Sequence, residues 1–215
     1  MMRKIHTLHA TAVVWLTLTA LPAATVVYDN HIPATSVGNG RTNDPDFPIY
    51  IEHADNFSLP AAATVNGVTW HGLYEDNVRP DDFSLRVYAL GAGLPVSPPL
   101  ADVPLASVVR EDTGVTITYS LRVYSYCASF DDISLGAGSY ALSIYNRAAD
   151  GAEWLWATRD NPAVDGSFMR LGTGAWKRYS GGPEFSFTLT QVPEPGVALA
   201  VAAWLPCLLV RRRRD

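Results

Sequence analysis

Trp154 and Trp156 lie two residues apart, so any extended strand that carries them presents both rings on one face. Flat, amphipathic rings spaced in this way can stack on sugars while Asp, Asn and Arg bind the hydroxyls. The pair is therefore the candidate glycan contact. Trp70 and Trp176, with Tyr74, Tyr124, Tyr126, Tyr145 and Tyr179, enlarge the aromatic stock. The same rings suit a hydrophobic core, and their exposure decides between the two uses. A second chemistry belongs to acidic residues in pairs or at strand starts: Asp44 with Asp46, Asp55, Asp81 with Asp82, and Asp131 with Asp132. Calcium takes about six to eight such oxygens, which makes Asp55, Asp81, Asp82, Asp131 and Asp132 candidate ligands for a structural ion. No complete Asp-x-Asp-x-Asn-Gly loop accompanies them, so solvated turn carboxylates are the alternative, and no other cofactor is expected.

Covalent catalysis has less to draw on. A triad needs a histidine beside an activated Ser or Cys and an orienting acid, and spacing does not bring His31, His53 or His71 to such partners. His71, next to Trp70 on an expected strand, reads as solvent-facing or structurally hydrogen-bonded. Cys127, within Tyr124-Ser-Tyr-Cys-Ala-Ser129, reads as a buried strand residue, and Cys207 in the apolar tail is not its partner. The sequence contains no Gly-x-Ser-x-Gly elbow, His-Glu-x-x-His, phosphate loop, dinucleotide fingerprint or Cys-x-x-Cys. Gly172-Thr-Gly174 ahead of Lys177 reads as a hairpin turn. The chain is expected not to be an enzyme. A polysaccharide hydrolase, the remaining catalytic alternative, needs two carboxylates about 5–9.5 Å apart.

The elements that must position these residues read as strands. Between residues 25 and 192, short β-branched and aromatic segments alternate with Gly, Pro, Asn and Asp, and none has helical periodicity. Strands are expected at 49–53, 63–74, 82–90, 115–126, 139–146, 153–158, 175–179 and 184–190. In the first face of 82–90, Phe83, Leu85, Val87 and Ala89 point together, while Ser84, Arg86 and Tyr88 share a face expected to meet water. Phe185, Phe187 and Leu189 repeat the pattern, with Ser186 and Thr188 between them. Asn66-Gly67, Gly91-Ala-Gly93, Gly136-Ala-Gly138, Asp150-Gly151, Asp165-Gly166 and Gly181-Gly182 supply turn residues. The four prolines of 94–104 remove ladder donors, so that stretch is expected to be a long crossover loop, which suits a Greek-key or jelly-roll path. The expected architecture is all-β: a single jelly-roll-like β-sandwich over residues 25–191.

Charge is segregated along the 215 residues. Arg3 and Lys4 precede an apolar run over 10–24, and Arg211, Arg212, Arg213 and Arg214 follow another over 196–210. Residues 25–192 carry ten basic against nineteen acidic side chains, a net of −9 that repels nucleic acid and anionic lipid. Residues 1–24 have the cationic start, apolar stretch and small residues of a secretory signal peptide, which implies delivery through the Sec translocon. The second run would form a helix of about 22 Å against a hydrocarbon core of about 30 Å, a short transmembrane helix interrupted by Pro206. Its arginine cluster is a stop-transfer signal that stays cytoplasmic. Both ends then place the acidic body across the membrane.

Val192-Pro193-Glu194-Pro195 precedes that short helix, and its prolines hold an extended strip that a processing enzyme can grip. The order Pro-Glu-Pro, short apolar helix, terminal arginine cluster over 192–215 resembles the PEP-CTERM sorting signal of exported bacterial proteins. That resemblance implies handling by exosortase, a membrane-embedded transpeptidase-like enzyme, and a destination at the cell surface or in the extracellular exopolysaccharide and biofilm layer. A second resemblance covers most of the body. Ala54-Asp-Asn-Phe-Ser-Leu59, Val65-Asn-Gly-Val-Thr-Trp-His-Gly-Leu-Tyr74, Asp81-Asp-Phe-Ser-Leu-Arg-Val-Tyr88, Leu135-Gly-Ala-Gly-Ser-Tyr-Ala-Leu-Ser-Ile-Tyr145, Trp154-Leu-Trp-Ala157 and Glu184-Phe-Ser-Phe-Thr-Leu189 are similar, in that order, to a β-rich module found upstream of such tails. It implies a fold and an address, with no reaction attached. The function expected is that of an exported, exosortase-processed surface or matrix protein, the alternatives being a carbohydrate-binding module or a hydrolase.

Overall fold

Apolar residues at every second position, as in Phe83-Ser-Leu-Arg-Val87, turn alternate side chains to opposite faces of a strand. The computed structural model describes residues 23–30, 41–42, 51–74, 80–116, 121–147, 154–158, 167–179 and 184–192. Among them are fourteen strands and no helix: β1 (Thr25–Asp29), β2 (Arg41–Thr42), β3 (Ile51–Leu59), β4 (Ala63–Tyr74), β5 (Phe83–Gly91), β6 (Leu94–Pro95), β7 (Ala101–Pro104), β8 (Val109–Thr116), β9 (Arg122–Leu135), β10 (Gly138–Asn146), β11 (Trp154–Trp156), β12 (Phe168–Leu171), β13 (Lys177–Arg178) and β14 (Phe187–Gln191). The expected signal peptide, the Pro193-Glu194-Pro195 strip, the transmembrane helix and Arg211 to Arg214 lie outside the described residues.

The strands form two antiparallel sheets of seven. In the first, β4 is central: β9 covers one edge and itself pairs with β8, while β14 and β11 share the other edge and lead out to β1 and β2. The second runs from β13 through β12, β3 and β10 to β5, whose outer edge takes β6 and β7.

The core lies between the sheets. Phe57, Leu59, Phe83, Leu85, Val87, Leu142 and Ile144 from one sheet meet Val65, Val68, Trp70, Tyr126, Trp154, Phe187 and Leu189 from the other. Phe83 is the hub, with ring centroids 5.2 Å from Trp70, 5.1 Å from Tyr126 and 5.0 Å from Trp154. Each such ring buries enough apolar surface to contribute roughly 1.5–3 kcal/mol. Residues Ala24–Val192 form one unit around this β-sandwich-like core.

Several expected boundaries move, each for a local reason. β4 matches its expected span, but the expected strand at 115–126 is two strands, β8 and β9, paired to each other. Asn66-Gly67 is no turn: it lies inside β4 at a register shift against β9, a bulge absorbed within one strand. Gly91-Ala-Gly93 does form a hairpin, with Ala92 (φ 50°) and Gly93 (φ 78°) between β5 and β6. The proline-rich stretch is no crossover loop. It folds back along β5 as β6 and β7, where an edge position tolerates prolines because half of an edge strand's N–H groups need no ladder partner.

Candidate functional site

The second sheet carries a polar cluster on the face turned away from the main core. Strand register sets it up: Arg170 on β12 stands directly opposite Glu52 on β3, and Arg86 on β5 stands opposite Asp102 on β7 and Ser143 on β10. Because side chains alternate, Arg86 and Tyr88 share this face, and so does Tyr145, opposite Ser84. Tyr88 is closed over by Trp176, at 5.2 Å between ring centroids, within a small apolar cluster that includes Ala54, Ala141 and Phe168.

Glu52 is fully buried and is the hub of the cluster. Its Oε2 accepts from Arg170 Nε at 2.9 Å, Arg170 Nη2 at 2.6 Å and Arg86 Nη1 at 3.2 Å, while Oε1 accepts from the Tyr88 hydroxyl at 2.7 Å. Arg86 Nε also donates to Asp102 Oδ2 at 2.9 Å, and Arg170 Nη1 to Ser97 Oγ at 3.1 Å. Each guanidinium lies over an aromatic face, Arg86 at 4.4 Å from Tyr145 and Arg170 at 4.7 Å from Trp176. Burial, then the neighbouring Glu52 charge, pushes the Tyr88 hydroxyl well above the usual phenol range, so it stays a donor. Above this floor opens a groove of about 640 Å³, walled in part by Pro99, Pro104 and Thr173 and lined by Arg86, Arg147 and Asp102. Among its described lining residues Asp102 is the single carboxylate. Rigid, planar donors beside a hydroxyl and one acceptor can hold a polar ligand through several directed hydrogen bonds.

The residues singled out from the sequence are placed elsewhere. Trp154 and Trp156 do share a face, but it is the core face, and both are 0% exposed. Trp154 rests on Gly72, where any side chain would collide with the ring, and Trp156 stacks on Phe185 at 4.7 Å and donates Nε1–H to the Ser186 carbonyl at 3.1 Å. They are not a glycan platform, because no sugar reaches a ring that the opposite sheet covers. Ser84 and Tyr88, expected to meet water, are buried as well.

The calcium candidates are not brought together. Asp55 is buried and accepts from the Phe185 N–H at 2.6 Å, the Asn30 side chain at 3.0 Å and the Asn56 N–H at 2.8 Å, which ties β3 to the segment entering β14. Asp81 accepts from the Tyr74 hydroxyl at 2.7 Å and pairs with Arg110 at 2.8 Å; burial raises its pKa more than these partners lower it. Asp82 pairs with Arg147 at 3.2 Å. Asp131 and Asp132 lie exposed on β9, and Asp132 accepts from Asn66 at 2.9 Å. No group of three acidic, His or Cys side chains fit to hold a metal occurs among the described residues.

His71 is buried on the outer side of the first sheet, its Nδ1 3.0 Å from Ser186 Oγ, a structural hydrogen bond of the kind expected. Loss of water lowers its pKa to about 4, so it is neutral. Cys127, expected to be buried, is exposed, because Tyr126 and Ala128 on either side take the core face of β9. Glu52 and Arg170, the two residues that join β3 to β12 across the groove floor, carried no sequence signal beyond charge within a strand-like segment; Arg86 was visible only as a member of a polar face.

The molecule so defined is an all-β, β-sandwich-like protein with an arginine- and tyrosine-lined groove on one outer face. Comparison with family models and with curated proteins finds no match to the chain.

Proposed function

We propose that this is an exported, non-enzymatic surface or matrix protein: directed out by residues 1–24 through the Sec translocon, held transiently in the inner membrane by the apolar run 196–210, and processed by exosortase near Pro193-Glu194-Pro195. One observation carries this reading. The order Val192-Pro193-Glu194-Pro195, apolar run, Arg211-Arg212-Arg213-Arg214 begins immediately after the last strand of the body. The Asn66 carboxamide supports it by receiving the Val192 N–H and donating to the Val192 carbonyl, at 2.5 and 2.9 Å, which fixes the residue that precedes the motif's first proline. The acidic body suits an aqueous location beyond the membrane and no nucleic-acid partner. A jelly-roll-like path is supported by the pairs β3 with β10 and β4 with β9, which lie in opposite sheets, as a long hairpin wound around a sandwich would place them. Its role lies in the exopolysaccharide or biofilm layer.

The test is Pro193→Ala with Glu194→Ala in the full chain, expressed in a bacterium that has exosortase. The expected outcome is an unprocessed, membrane-retained protein. Unchanged C-terminal trimming and unchanged release would overturn the reading.

A further inference from the structure

We propose that the groove above Arg86 and Tyr145 binds an acidic saccharide, a sugar unit bearing a carboxylate, with Arg147 as a direct contact to that carboxylate and Asp102 as an acceptor for its hydroxyls.

The gathering of guanidiniums is the first ground. Among the described lining residues, three guanidiniums, Arg86, Arg147 and Arg170, face one carboxylate, Asp102. Glu52, sealed beneath them, offsets one more positive charge, and Asp82, beside the groove, pairs with the exposed end of Arg147. The three guanidiniums are thus gathered on a body whose net charge over 25–192 is −9, and an anion that takes the place of Asp82 on Arg147 meets the attractive part of an otherwise repulsive surface.

Geometry supplies the second. Arg170 and Arg86 are fixed edge-on by Glu52 and face-on by Trp176 and Tyr145, so their planes are set before any ligand arrives. Arg147, by contrast, is held at its exposed guanidinium by an ion pair to Asp82, 3.2 Å long, a contact of the kind that exchanges readily for another carboxylate. Bidentate capture of a carboxylate is what a guanidinium does best.

The third ground separates a sugar from other anions. A phosphate dianion would face Asp102 at close quarters, whereas a sugar hydroxyl donates to it. Thr173 and the Tyr145 phenol add partners for hydroxyls, and Pro99 and Pro104 form an apolar wall for a ring face. The volume of about 640 Å³ lies within the usual range of small-ligand sites, roughly 300–1,000 Å³.

This deepens the exopolysaccharide role proposed above and rests on it only for where the saccharide is met. Binding is measured on purified full-length chain, so its failure is distinct from a failure of C-terminal processing. Calorimetric titration would use oligogalacturonate, oligomannuronate and hyaluronate fragments, with methyl-esterified oligogalacturonate and inorganic phosphate as controls. At least one acidic oligosaccharide is expected to bind, with loss of about tenfold or more on esterification and a similar loss in Arg147→Ala at unchanged melting temperature. No binding of any of the three, equal affinity for the ester, tighter binding of phosphate, or an Arg147→Ala variant that binds as well as the parent would overturn the proposal.

Discussion

Replacing Glu52 by glutamine keeps the shape of the groove floor and removes only its charge. In the parent, one fully buried carboxylate receives four hydrogen bonds, from Arg170 twice, Arg86 and Tyr88. In Glu52→Gln the carboxamide offers a single acceptor oxygen and turns an NH2 group toward donors that have no use for it. The Arg170 and Arg86 side chains, 11% and 20% exposed, then lose their counter-charge where water reaches them poorly. Removing one partner of a buried pair typically costs about 3–5 kcal/mol. Residual hydration of the guanidiniums, with Asp102 still on Arg86, places this case at the lower end, about 3 kcal/mol. Urea unfolding of the full chain should show a lower midpoint at unchanged slope, and melting should fall by roughly 6–12 °C for a domain of this size. Pairing Glu52→Gln with Arg170→Met should recover part of the loss, because the double variant no longer strands a charge. A loss under about 1 kcal/mol in the single variant, with no recovery in the double, would refute the view that this carboxylate organises the outer face.

Two further outcomes follow from buried groups. His71 is held neutral, its pKa lowered from 6.5 to about 4 by burial; between those values the unfolded chain binds more protons than the folded one, so stability is full above pH 6.5 and falls as pH drops toward 4, by up to about 3 kcal/mol. Urea midpoints measured from pH 7.5 to 4 should show that decline in the parent and a flatter profile in His71→Asn, and identical slopes in both would remove it. Trp156→Ala empties a site stacked on Phe185 and should cost about 3–5 kcal/mol in chemical denaturation while leaving saccharide titrations unaltered under native conditions; lost saccharide binding at full stability would instead return the ring to a ligand role.

Part of this is legible in the sequence. Phe185, Phe187 and Leu189 all face the core as their alternation indicates, and β4 begins and ends where its residues suggest. The groove was not legible, because Glu52 and Arg170 are 118 residues apart and meet only through the register of β3 with β12. The reversal between β8 and β9 leaves no local mark, because Val115 to Tyr126 is rich in β-formers throughout, and propensity does not show where a ladder turns.

Order and periodicity belong to the one-dimensional chain: strand-forming segments, pairs such as Trp154 and Trp156 on a common face, an acidic body between basic ends, and Pro193-Glu194-Pro195 ahead of an apolar run. Covering belongs to the assembled sheets. A period of two states which side chains share a face and is silent about what lies over it, so only the packing of one sheet on the other could bury both tryptophans while leaving Cys127 outside, and only Trp176 laid across the outer face could bury Tyr88. The arginines became a site for the same reason: long-range pairing of β3, β5, β7 and β12 lined up charges that no local pattern connects.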